Sequence, residues 1–142
     1  MLTVTETARL AIDAETLWHD AGSFDALGKW HPMLAEVEID GDGVGAARVA
    51  YKKDGTEQVE RLQAIDPGRH RYRYRIEYTD LPVRNYVGEF SIDDSGADAS
   101  RLIWFAQFEV AEDGNEEKTV EAVRQFMHAG VENLKAWYGE AN

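Results

Sequence analysis

Cysteine is absent from this chain of 142 residues, so disulfides, thiolate nucleophiles and thiolate metal ligands are all excluded. Proline is scarce and scattered, and no linker, internal repeat or low-complexity tract divides the sequence. A chain of this length without a seam fits one domain over residues 1–142, large enough to bury a core without staples. No apolar run approaches the roughly 20 residues that a membrane-spanning helix needs. The opening Met1-Leu2-Thr3-Val4-Thr5-Glu6 carries an acid where a targeting segment would be apolar, so the expectation is a soluble, cytoplasmic protein. Basic residues are few: 15 Lys and Arg face 27 Asp and Glu, a net charge of −12. That charge repels phosphate backbones and anionic lipid heads, which argues against nucleic acid or a membrane surface as partner.

The strongest positive signal is a helical stripe over 116–138. Val120, Val123, Met127, Val131, Leu134 and Tyr138 recur at steps of three and four and share one face. Phe126 and Trp137 are expected to widen that stripe into a buried band. Upstream the pattern is mostly strand. A first strand is expected over 2–12, then two short helices over 14–20 and 24–28, the first capped by Asp13 and the second by Ser23. Six further strands follow over 34–40, 46–52, 56–65, 69–79, 85–93 and 101–110. Gly41-Asp42-Gly43, Asp54-Gly55, Asp66-Pro67-Gly68 and Asp113-Gly114 supply turns between them. The fold class is α+β: a curved antiparallel sheet of seven strands wrapped around the long C-terminal helix, a geometry that leaves room for a small molecule.

The fifth strand separates two faces. His70, Tyr72, Tyr74, Ile76 and Tyr78 fall on one side, and Arg69, Arg71, Arg73, Arg75 and Glu77 on the other. The same parity places Gln58, Glu60 and Leu62 inward on the fourth strand, and Tyr86, Gly88, Phe90 and Ile92 inward on the sixth. On the seventh, the wholly apolar set Leu102, Trp104, Ala106, Phe108 and Val110 is preferred for the interior. The interleaved arginines and tyrosines therefore do not form a nucleic-acid surface, since they point to opposite sides. Glu57 and Glu89 share the arginines' face and can pair across strands.

Metal and phosphate motifs are wanting. His19, His31, His70 and His128 show no ligand spacing. Asp40-Gly41-Asp42-Gly43 lacks the further acids of a calcium loop, with Tyr51 where a bidentate Glu belongs. The glycines over 41–45 precede a strand rather than a helix, which is not a phosphate cradle. No metal and no cofactor is expected.

Several fragments fall in a telling order: Phe24-Asp25-Ala26-Leu27, Trp30-His31-Pro32, Val44-Gly45 with Arg48, Glu60-Arg61-Leu62 with Asp66, Asn85-Tyr86, and Trp104. Together they resemble the START/Bet v 1-like (SRPBCC) superfamily, and within it the bacterial polyketide cyclase/dehydrase-type proteins. The resemblance implies the helix-grip fold and an internal cavity faced by His31, Glu60, Tyr74 and Tyr86. In the related hormone receptors a lysine occupies the position of His31, and a neutral imidazole anchors an acid less firmly.

Glu60 is the first candidate for chemistry, because a carboxyl group in a cavity walled by Tyr and Leu suits a general acid or base. The competing role is an ion pair with an arginine such as Arg48 that merely fixes the wall. His31 could assist proton transfer or donate to a carbonyl, or could be a satisfied structural histidine. Trp30, Tyr72, Tyr74, Tyr78, Tyr86, Trp104 and Met127 complete the expected ligand-binding lining, which favours an aromatic or oxygenated molecule. Two readings follow. One is an acid/base enzyme of cyclase or dehydratase type acting without metal or redox cofactor on an aromatic or polyketide-like substrate. The other is a binding or carrier protein for a small hydrophobic ligand or lipid. Monomer and homodimer both remain open.

Overall fold

In a computed structural model that describes residues 1–141, period-two alternation becomes one antiparallel sheet of seven strands. The strands are β1 (Leu2–Leu10), β2 (Leu34–Asp40), β3 (Ala47–Lys52), β4 (Glu57–Asp66), β5 (Arg71–Tyr78), β6 (Val83–Asp94) and β7 (Ser100–Val110). Their spatial order is β1-β7-β6-β5-β4-β3-β2, so β1 and β2 form the two edges. Between β1 and β2 lie α1 (Ala14–Leu17) and α2 (Leu27–Trp30), and α3 (Glu116–Tyr138) closes the fold, as expected for a helix-grip architecture.

Local chemistry explains the element ends. Asn115 caps α3 by accepting from the Lys118 amide at 3.0 Å, and Glu116 and Glu117 sit in the first turn where the helix dipole favours acids. Asp13 caps α1 by accepting from the Thr16 amide at 3.0 Å. The helix expected over 14–20 is shorter, because after Leu17 the chain continues as a single π turn, Trp18–Gly22. The indole of Trp18 occupies the space a side chain at Gly22 would need. The second expected helix is a 3₁₀ turn, Phe24–Ala26, that runs on into α2.

The inward parity holds on β4, β6 and β7. Gln58, Glu60, Leu62, Tyr86, Phe90, Ile92, Leu102, Trp104, Ala106 and Phe108 are all buried. β5 departs from it at both ends. Pro67–Arg69 forms a 3₁₀ turn and His70 takes a left-handed φ of 57°, so the strand starts two residues late. At the other end Glu60 pairs with Ile76 but Val59 pairs with Tyr78, which leaves Glu77 as an extra residue on β5. This bulge turns Tyr78 away from the interior, and it is 58% exposed rather than cavity-facing. On α3 the stripe Val123, Met127, Val131 and Leu134 is buried, but Trp137 is 52% exposed and does not extend the band.

On the outer face the arginines find acids, as with Arg73–Glu89 at 3.3 Å and Arg61–Glu77 at 2.8 Å. Among the described residues no three His, Asp or Glu side chains cluster as metal ligands, and no helix is long and apolar enough to cross a membrane.

Candidate functional site

Much of the space between α3 and the sheet is solid. Trp30, Phe90, Trp104 and Tyr72 pack ring against ring, with centroids 5.4–6.0 Å apart in their contacting pairs. A cavity of about 210 Å³ remains toward the N-terminal half of α3. Its walls come from β4 (Gln58, Glu60), β5 (Tyr74, Ile76), β6 (Tyr86) and α3 (Val123, Phe126). Lys52, Asp80 and Leu81 stand toward its mouth, where the Lys52 ammonium lies 3.2 Å from the Asp80 carboxylate. The lining thus alternates apolar and polar groups.

Glu60 occupies the floor and is 3% exposed. Its Oε1 accepts from Arg48 Nε at 2.7 Å, and its Oε2 accepts from Gln58 Nε2 at 2.9 Å. Arg48 is itself fully buried; its Nη1 donates to the Phe24 carbonyl at 2.8 Å and to the Tyr72 hydroxyl at 3.2 Å. Its guanidinium carbon lies 4.2 Å from the Phe24 ring centroid. Burial alone would lower the Arg48 pKa, but Glu60, followed by Tyr72 and Tyr74, outweighs it and holds the guanidinium above its ordinary value. Gln58 continues the chain outward. Its Oε1 accepts from the Thr79 hydroxyl at 2.8 Å, and Thr79 Oγ1 accepts from the Leu81 amide at 3.2 Å. Because a carboxylate only accepts, the Gln58 amide has one orientation, and every donor in this chain points toward Glu60.

Two tyrosines share the cavity with it. Tyr74 accepts from the Trp104 indole N–H at 3.1 Å, and its ring lies over Gly88, where any side chain would collide with it. Tyr86 follows Asn85, which adopts a left-handed φ of 52° and donates from Nδ2 to Glu109 at 2.8 Å. The register shift between Arg84 and Val87 places Tyr86 at this bulge on β6. Burial, reinforced by Glu60, raises the Tyr86 hydroxyl pKa well above its ordinary value, and the neighbouring Tyr74 hydroxyl weakly opposes this. Burial, then Tyr86 and Glu60, raises Tyr74 in the same way.

His31 is placed differently from expectation. It is buried, but its ring lies against α3 instead of on the cavity wall. Nδ1 accepts from the Met33 amide at 3.2 Å, which leaves the proton on Nε2, and Nε2 donates to the Phe126 carbonyl at 2.7 Å. The ring stacks on Phe126 at 3.9 Å. Burial is the main cause that lowers its pKa from 6.5 to about 4; the Phe126 carbonyl opposes this, and Arg48 and Lys52 add to it. Trp30, Tyr72, Trp104 and Met127 are buried in the packed region behind the cavity, and Tyr78 is outside it. Of the expected residues, then, Glu60, Tyr74 and Tyr86 meet at the cavity. Sequence reasoning did not single out Gln58, Lys52, Asp80 or Phe126 for the site. Alternation on β4 had already turned Gln58 inward, and that was the available signal.

The sheet, the gripping helix and the cavity between them define the Bet v 1-like class of α+β proteins. Residues 1–138 match the family described as polyketide cyclase / dehydrase and lipid transport, and the chain belongs to that family. Among solved structures it is similar to the XoxI protein of Bacillus cereus, with 22% identity over 97% of this chain and 96% of that one and a TM-score of 0.90. A putative uncharacterized protein of Bacillus thuringiensis is similar at 21% identity, with 96% and 98% of the two chains covered and a TM-score of 0.89. Norcoclaurine synthase of Thalictrum flavum, solved with dopamine and hydroxybenzaldehyde, shares 18% identity over 96% of this chain and 85% of that one, with a TM-score of 0.73. At such identities the likeness shows the fold. No curated protein sequence matches that of the chain.

Proposed function

We propose that this protein binds a small aromatic or polyketide-like molecule between α3 and the sheet, and that Glu60 moves a proton on it without a metal or redox cofactor. The observation that carries this reading is the buried Glu60 carboxylate on the cavity floor, held by Arg48 at 2.7 Å and Gln58 at 2.9 Å. A carboxylate fixed on two sides keeps its remaining lone pairs aimed at one place, which is what a positioned general base requires. Family membership supports a small-molecule ligand, and a cavity of about 210 Å³ suits one substituted ring better than a long acyl chain. The carrier reading has its own support. His31 has both ring nitrogens engaged by the protein, so the expected second proton-transfer group is occupied.

Deuterium exchange separates the two without knowledge of the natural substrate. Acetophenone in D₂O loses methyl protons when a base removes one and the carbonyl oxygen is stabilised. The wild-type protein is expected to accelerate this exchange at least about tenfold over Glu60→Gln, the scale of a lost proton-transfer group. Acetophenone that binds both proteins and exchanges at the same rate in each would leave a carrier, not an enzyme.

A further inference from the structure

Tyr86 lines the same cavity as Glu60. It is 6% exposed, and its ring is stacked on Phe108 at 5.4 Å. Trp104 can only donate, so its N–H takes the acceptor side of the Tyr74 hydroxyl at 3.1 Å. The Tyr86 hydroxyl makes no hydrogen bond to another described residue and is not one of the sealed, unpartnered polar atoms, so it is free to donate to a molecule in the cavity. Beside it, Glu60 offers only acceptor sites, and only two of its roughly four lone-pair positions are used. One cavity therefore presents a free hydroxyl that can donate and a carboxylate that can only accept.

The walls are also balanced in charge. Glu60 is matched by Arg48, and Lys52 at the mouth is matched by Asp80. Neither an anion nor a cation gains an uncompensated partner there, and an anion would meet the Glu60 carboxylate directly.

Resting on the ligand-binding reading above, we infer that the site selects a neutral ring whose polar end carries a carbonyl oxygen for Tyr86 and, beside it, an N–H or O–H for Glu60. Carboxamides, lactams, hydroxy ketones and enols belong to this class. Plain ketones engage Tyr86 alone and bind more weakly; amines and carboxylates do not belong to it.

Benzamide and acetophenone make the comparison directly, since they have nearly the same shape and only benzamide both donates and accepts. Aniline supplies a donor alone, benzoate an anion, and benzylammonium a cation. Titrations followed by NMR shifts of Ile76, Val123 and Phe126 are expected to show benzamide binding at least about tenfold more tightly than each of the others, the scale of one added hydrogen bond. Tyr86→Phe keeps the ring and should cost benzamide about tenfold while leaving aniline within about twofold. Circular dichroism verifies that the variant is folded. Equal affinity for the neutral probes, or tighter benzylammonium or benzoate, would overturn this inference and leave the cavity reading standing. A Tyr86→Phe variant that weakens aniline as much as benzamide would overturn it too. If no probe shifts the cavity resonances at millimolar concentration, both fall.

Discussion

His31 illustrates how a residue can be correctly placed near a site and yet do different work. Its interior position follows from its place between Trp30 and Pro32, but its partner, the Phe126 carbonyl, lies 95 residues away on α3. No local pattern announces a contact of that range. The consequence is measurable as pH dependence. In the unfolded chain His31 gains a proton below about 6.5, whereas in the folded protein burial delays protonation until about 4. The unfolded state thus binds more protons over that window, and folding stability falls as pH drops through it. The share due to His31 is on the order of 3 kcal/mol when complete at about pH 4. Urea unfolding at pH 7 and pH 4 should show His31→Gln losing less stability than wild type between the two. Parallel losses in the two proteins would mean that His31 does not resist protonation.

At the scale of elements, the seat of α3 depends on one small residue. A methyl group at Gly130 would stand 2.7 Å from Trp30 and 2.8 Å from His31, well inside contact distance. Gly130→Ala gains up to about 1 kcal/mol in helix propensity but incurs an overpacking cost of about 1–3 kcal/mol. Both neighbours sit in buried, hydrogen-bonded positions, so a net loss of about 1–2 kcal/mol in urea unfolding is expected. A stabilised variant would show that the helix can stand off the sheet freely. Gly130 in the middle of the stripe could be read as permitting close approach from the sequence alone, and α3 itself was legible over its full span because its apolar spacing is regular. The bulges were not legible. An extra residue at Glu77 leaves no mark in composition, yet it reverses Tyr78 and removes it from the site. Asn85 is the exception: a residue that tolerates a left-handed backbone, placed just before Tyr86, is a visible sign that the strand bends there.

Across the whole molecule the excess of acids sets the response to salt. With a net charge of −12 the folded state concentrates repulsion that the expanded chain relieves. Raising ionic strength from about 0.01 to 0.15 M shortens the Debye length from about 30 to 8 Å, which screens that repulsion. The outer ion pairs, such as Arg71–Asp93 at 3.8 Å, are weakened as well but contribute little individually. The melting temperature should therefore rise by about 2–4 °C, as expected for roughly 1 kcal/mol in a chain near this size. A fall would mean that the paired outer face outweighs the general repulsion.

The two margins of the sheet are finished in different ways. The end of β1 is covered by the chain's own C-terminal segment, through Ala11 N–H to the Gly139 carbonyl at 2.9 Å and Ala141 N–H to the Arg9 carbonyl at 2.9 Å. Among the described residues β2 has no such cover and pairs only with β3, but Glu36, Glu38 and Asp40 line it and are exposed. Two molecules aligning these strands side by side would set three carboxylates against three. A row of unpaired amides that would otherwise template fibrils is thus made self-avoiding.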